Sequence, residues 1–92
     1  MAKFVLFGMY SPESISKISS ARTKKVRDII KKAGGQVEAM YVLMGENDLA
    51  LIVDFPGIQQ AMKGSIELTK QTGISFSTSP ALTVEEFDKL FK

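Results

Sequence analysis

Three short segments of this chain, Lys3 to Met9, Gln36 to Met44 and Asp48 to Phe55, are apolar at both odd and even positions. Successive side chains of a strand point to opposite faces, so strands of this kind need shelter from water on both sides of their sheet. In the first, Phe4 and Leu6 oppose Val5, Phe7 and Met9; in the second, Val37, Ala39, Tyr41 and Leu43 oppose Met40, Val42 and Met44. In the third, Leu49, Leu51 and Val53 oppose Ala50 and Ile52. Gly45-Glu46-Asn47 is a turn sequence, which makes the second and third segments a hairpin.

The intervening stretches have helical spacing. Ser11 is placed to cap a helix with Pro12 at its first position and Glu13 facing the positive end of the dipole. Ile15, Ile18, Val26, Ile29, Ile30 and Ala33 form its stripe, and Gly34-Gly35 ends it. Ser19-Ser20 is a potential break, with Ser20 able to cap a restarted helix. Pro56 ends the third strand. A second helix follows to Thr72, with Ile58, Ala61, Met62, Ser65, Leu68 and Thr69 inward and Gly73 closing it. Gly64 within it costs about 1 kcal/mol relative to alanine, a cost consistent with close packing on the sheet. Ile74 to Ala81 is a weaker strand, marked as an edge by Pro80. Thr83-Val84-Glu85-Glu86 is a capping box for a short last helix bearing Phe87, Leu90 and Phe91.

The order strand, helix, hairpin, helix, strand predicts one α+β domain over residues 1–92, with a ferredoxin-like βαββαβ arrangement. Right-handed crossovers put the first and third strands in the middle of a four-stranded antiparallel sheet, with two helices on one face plus the short C-terminal helix. The other face is then several hundred Å² of hydrocarbon, more than soluble monomers usually expose. A second copy of the chain, meeting it sheet to sheet, is the expected cover. The alternative is a monomer covered by its own tail.

Composition narrows the chemistry. Ninety-two residues contain neither cysteine nor histidine, which excludes disulfides, thiolate zinc sites and imidazole acid–base chemistry. No calcium-loop spacing, phosphate loop or nucleophile elbow is present, so neither cofactor nor metal is expected. The apolar N-terminal run is too short for a secretory signal and nothing approaches a membrane span, so the expectation is a cytoplasmic protein with no membrane partner. Net charge is +2. Seven basic residues against Asp28 alone lie between Ser14 and Ala33. No aromatic residue interleaves for base stacking, so this reads as a solvated face with no nucleic-acid partner.

Several residues in order carry a resemblance. They are Ser11-Pro12-Glu13, Arg22, Gly34-Gly35, Tyr41 with Gly45, Asp48 before apolar residues, Pro56, Gly73 and Thr83-x-Glu85-Glu86-Phe87. In these the chain resembles the GYD-domain family of the dimeric α/β-barrel superfamily, over nearly its whole length. The resemblance implies a ferredoxin-like domain that pairs into a dimeric α/β barrel, and no settled activity. The family's Gly-x-Tyr-Asp turn is here Gly45-Glu46-Asn47-Asp48, with asparagine in place of tyrosine, and Gly57 replaces an acidic residue often found after the proline.

The candidate ligand-binding residues are Arg22, Tyr10, Tyr41 and Asp48. Arg22 falls on the apolar stripe between Ile18 and Val26, where a guanidinium needs an anionic partner. Asp48 is the expected one, either as a structural ion pair or beside a pocket that takes a small anion. Tyr10 and Tyr41 can fix a ligand by hydrogen bonding or simply pack at a core edge. Glu46, Asp48 and Asp54 read as solvated rather than catalytic. These features point to a homo-oligomeric binding or regulatory module for a small, partly apolar ligand, with or without an anionic group, or to a cofactor-free isomerase or monooxygenase. Binding to anionic polymers through the basic helix face is a third reading.

Overall fold

Ser11 does cap a helix: its hydroxyl accepts from the Ser14 amide, and Ser14 returns the bond to the Ser11 amide. That helix is short. A computed structural model, describing residues 1–92, divides the region into α1 (Pro12–Ile15) and α2 (Ser20–Lys32) after strand β1 (Ala2–Met9). The break comes one residue earlier than expected, since Ser19, not Ser20, caps α2 by accepting from the Arg22 amide. The kink also turns Ile15 and Ile18 outward, so the inner stripe of α2 is Val26, Ile29 and Ile30.

The chain continues as β2 (Gln36–Val42), β3 (Leu49–Phe55), α3 (Ile58–Thr72), β4 (Ser75–Ala81) and α4 (Val84–Lys89). The sheet order is β2-β3-β1-β4, antiparallel throughout. β1 and β3 are central, β4 with Pro80 is an edge, and the fold is the expected ferredoxin-like α+β arrangement. Phe4, Leu6, Leu51, Val53 and Phe55 form the core with α2 and α3. Gly64 permits close packing, because the Phe55 ring lies where its Cβ would be, 2.9 Å away. A Cβ at Gly35 would likewise meet the Phe55 ring, at 2.6 Å.

Two expected patterns fail for identifiable reasons. β2 has a bulge between Val37 and Ala39, with Val37 opposite Val53 and Ala39 opposite Ile52. The extra residue moves Val37 to the helix side with Met40 and Val42, and leaves Ala39 and Tyr41 on the far side. Regular pairing also stops at Val42, short of Met44. In α3 the buried stripe is Ala61, Gly64, Ser65 and Leu68, whereas Ile58 and Met62 are exposed. Small residues face the sheet there because Phe55 already fills the space beneath the helix.

The far face of the sheet carries Val5, Phe7, Ala50, Ile52, Ala39 and Tyr41 at its centre, with serines along β4. At one end Lys3 bonds Glu38 and lies 3.5 Å from Asp54. The Glu38 bond, aided by Asp54, raises the Lys3 pKa. α4 has no buried residue, and Phe87, Leu90 and Phe91 stand more than half exposed, so the tail does not seal this face. No helix is long and apolar enough to cross a membrane.

Gly35→Ala should lower stability by about 1–3 kcal/mol in denaturant unfolding, the usual cost of overpacking a core. Gly45→Ala, with no atom within 4 Å of the added carbon, should stay within about 0.5 kcal/mol. Glu86 has its pKa lowered, first by the Thr83 amide it accepts from and then by the Thr83 hydroxyl. A depressed folded-state pKa helps above the ordinary glutamate value of 4.5 and is lost as pH falls through the lowered one. The protection factors of the Thr83 and Glu86 amides, taken relative to intrinsic exchange at each pH, should therefore fall on acidification through that window, reporting loss of the α4 cap.

Candidate functional site

Asp48 determines the geometry at the end of β1. Its amide donates to the Gly8 carbonyl at 2.8 Å, and its Oδ2 accepts from the Tyr10 amide at 2.7 Å. Its carbonyl accepts from the Leu43 amide at 2.8 Å. One residue thus clips the exit of β1 to the mouth of the hairpin. A carboxylate suits this position because a charged acceptor strengthens a bond to an amide that has left the sheet ladder.

Tyr10, held by that clip, presents its ring to Arg22. The guanidinium carbon lies 5.2 Å from the ring centroid, a cation–π contact. Arg22 also donates through Nη1 to the Ser14 carbonyl at the end of α1. The expected Arg22–Asp48 ion pair does not form. The α1–α2 break lets Arg22 reach a carbonyl and an aromatic face, while Asp48 is spent on backbone. Neither Arg22 nor the neighbouring Arg27 is paired with a carboxylate. A half-buried guanidinium with one carbonyl partner retains unused donors.

Arg22 borders a cavity of about 300 Å³ between the start of α2 and the hairpin end of the sheet. Val26, Leu49 and Ile74 are its buried floor, Met40 its side, and Tyr10, Arg22 and Arg27 its polar boundary. The cavity is mostly hydrocarbon with a few polar groups at one side, the usual composition of small-molecule sites. No Asp or Glu lines it. Of the sequence candidates, Tyr10 and Arg22 come together. Tyr41 belongs to the rim: it is 57% exposed, and its register with Ala50 sends its side chain away from Met40 and Val42. Asp48 supports Tyr10 from outside the cavity. Sequence reasoning missed Arg27 and Met40. Arg27 follows Val26 directly and read as outer-face charge, and the β2 bulge concealed the side on which Met40 lies.

If Asp48 is a backbone clip, Asp48→Ala should cost about 1–3 kcal/mol in unfolding experiments, the range for losing a hydrogen bond to a charged group. Asp48→Asn, which keeps an acceptor oxygen, should cost clearly less. Equal losses in both variants would argue instead for a charge–charge role.

Among known families, the model described as GYD domain matches residues 4–91. No curated protein matches the chain.

Proposed function

The chain belongs to the GYD-domain family, and on that premise we propose that it is a self-associating module that binds a small, partly apolar anion. The observation that carries this reading is the cavity of about 300 Å³ with the Tyr10–Arg22 pair at its boundary. Its volume accommodates a single aromatic or short aliphatic group. The hydrocarbon floor supplies affinity without direction. The free donors of Arg22 supply direction, because a planar guanidinium presents paired N–H groups to a carboxylate. Tyr10 screens one side of that guanidinium from water, which strengthens any ion pair it makes.

Self-association is supported by the far face of the sheet. Val5, Phe7 and Ile52 lie on its central strands, and α4 buries nothing of its own. A two-fold pair would bring the same patch of both copies together, hydrocarbon on hydrocarbon. Tyr41 couples the two halves of the proposal. It stands at the cavity rim and points to the face a second copy would cover.

Sedimentation and amide-detected titration with benzoate test this reading. The protein should sediment at twice the 10.1 kDa chain mass, and Phe7→Glu should give a folded single chain. Benzoate should shift the amides of Tyr10, Val26 and Leu49, and Arg22→Gln should weaken it about ten-fold, equivalent to roughly 1.4 kcal/mol. A single-chain mass at micromolar concentration would remove the self-association. Unmoved cavity amides would remove the ligand.

A further inference from the structure

A second concavity lies directly behind Arg22. It encloses about 480 Å³ between α1 and the C-terminal end of α3, and no hydrophobic residue lines it. Lys17, Arg22, Lys25 and Lys70 reach it from the α1–α2 connection, α2 and α3, with Glu13 as its sole acid, an excess of three positive charges (4 − 1). Like charges gathered at one concave place repel unless an anion joins them.

The existing partners of these side chains are weak. Lys17 lies 3.5 Å from Glu13 and Lys70 lies 3.8 Å from Glu67, both in exposed pairs within one helical turn or so. Lys25 donates to the Gln71 carbonyl at 3.4 Å. Exposed pairs of this kind contribute little and exchange readily. The negative end of the α3 dipole opposes an anion here, and Lys25 and Lys70 stand on that end to offset it. A single carboxylate needs one cation. A site with this charge excess and volume suits a group with about two negative charges and three acceptor oxygens, as in a phosphate monoester.

Arg22 is the common wall. Its guanidinium touches Ser14, which lines the polar concavity, and Tyr10, which lines the apolar one. We propose that the two concavities are one bipartite site, in which the apolar body of the ligand lies over Val26 and Leu49 and a phosphate monoester lies among Lys17, Arg22, Lys25 and Lys70. The inference rests on the cavity reading above and narrows its ligand from small anions in general to aryl or alkyl phosphates.

Titrations of isotope-labelled protein with benzoate, inorganic phosphate and phenyl phosphate, at one ionic strength, test it. Phenyl phosphate should bind at least about ten-fold tighter than either other probe, and should shift amides around both Val26 and Lys70. The double variant Lys17→Gln, Lys70→Gln should lose that advantage while keeping the benzoate affinity and the thermal midpoint of the parent. Lys70→Arg should retain it. If benzoate binds and phenyl phosphate binds no tighter, or if the double variant keeps the advantage, the bipartite site is wrong and the cavity reading stands. If benzoate does not bind, the cavity reading fails, and shifts from inorganic phosphate alone would leave a simple anion site in place of the bipartite one.

Discussion

The Phe55 ring organises the molecule. It stands at the end of β3, fully buried, edge-on to Phe4 with ring centroids 5.9 Å apart. Gly35, at the exit of α2, and Gly64, in the middle of α3, both yield their side-chain volume to it. With no Cβ at either position, both backbones close on one aromatic ring, and α2 and α3 are brought onto the same face of the sheet. A glycine inside a helix forfeits propensity, and the contact with Phe55 is what it provides in return. Ala61 and Ser65, on either side of Gly64 on the buried face, are small where α3 comes close to the Phe55 ring. Ile58, Met62 and Ile66 of that helix face outward, and Leu68, one turn beyond Gly64, is the large residue it buries.

At the opposite end of the sheet, one carboxylate has a comparable organising role. Asp48 joins the end of β1 to the hairpin through two hydrogen bonds, to the Gly8 carbonyl and from the Tyr10 amide, and closes the hairpin with a third, from the Leu43 amide. That fixes Tyr10, Tyr10 supports Arg22, and the short α1 supplies the Ser14 carbonyl that anchors the guanidinium. The candidate site is therefore a by-product of structural hydrogen bonding: a cation is positioned by a carbonyl and an aromatic face, and its charge is left available. A direct Arg22–Asp48 ion pair would have neutralised the group that gives the cavity its polarity.

The chain carries more hydrocarbon than its own fold encloses. Phe87, Leu90 and Phe91 of the tail and the outer row of α3 at Ile58, Met62 and Ile66 remain exposed, and Val5, Phe7 and Ile52 on the far face of the sheet are half-buried. Surfaces of this extent on so small a domain favour association. The far face of the sheet borders the candidate site through Tyr41.

Much of the fold was legible in the residues. Ser11-Pro12, Gly73 and the Thr83–Glu86 box mark helix ends by local chemistry, and two-sided apolar strands together with element order lead to a ferredoxin-like sheet with β1 and β3 central. These signals are short-range or periodic, and the chain states them without reference to its neighbours in space. The site was only half legible. Tyr10 and Arg22 could be singled out because a cation on an apolar stripe and an aromatic at a strand end are anomalous locally. Their mutual contact depends on the break at Ser19 and on the Asp48 clip, and the side on which Met40 and Tyr41 lie depends on a bulge of one residue in β2. Sequence alone thus determined which elements form and in what order. Tertiary structure alone decided which side chains meet, because a kink or a bulge costs little locally and is selected by packing partners far away along the chain.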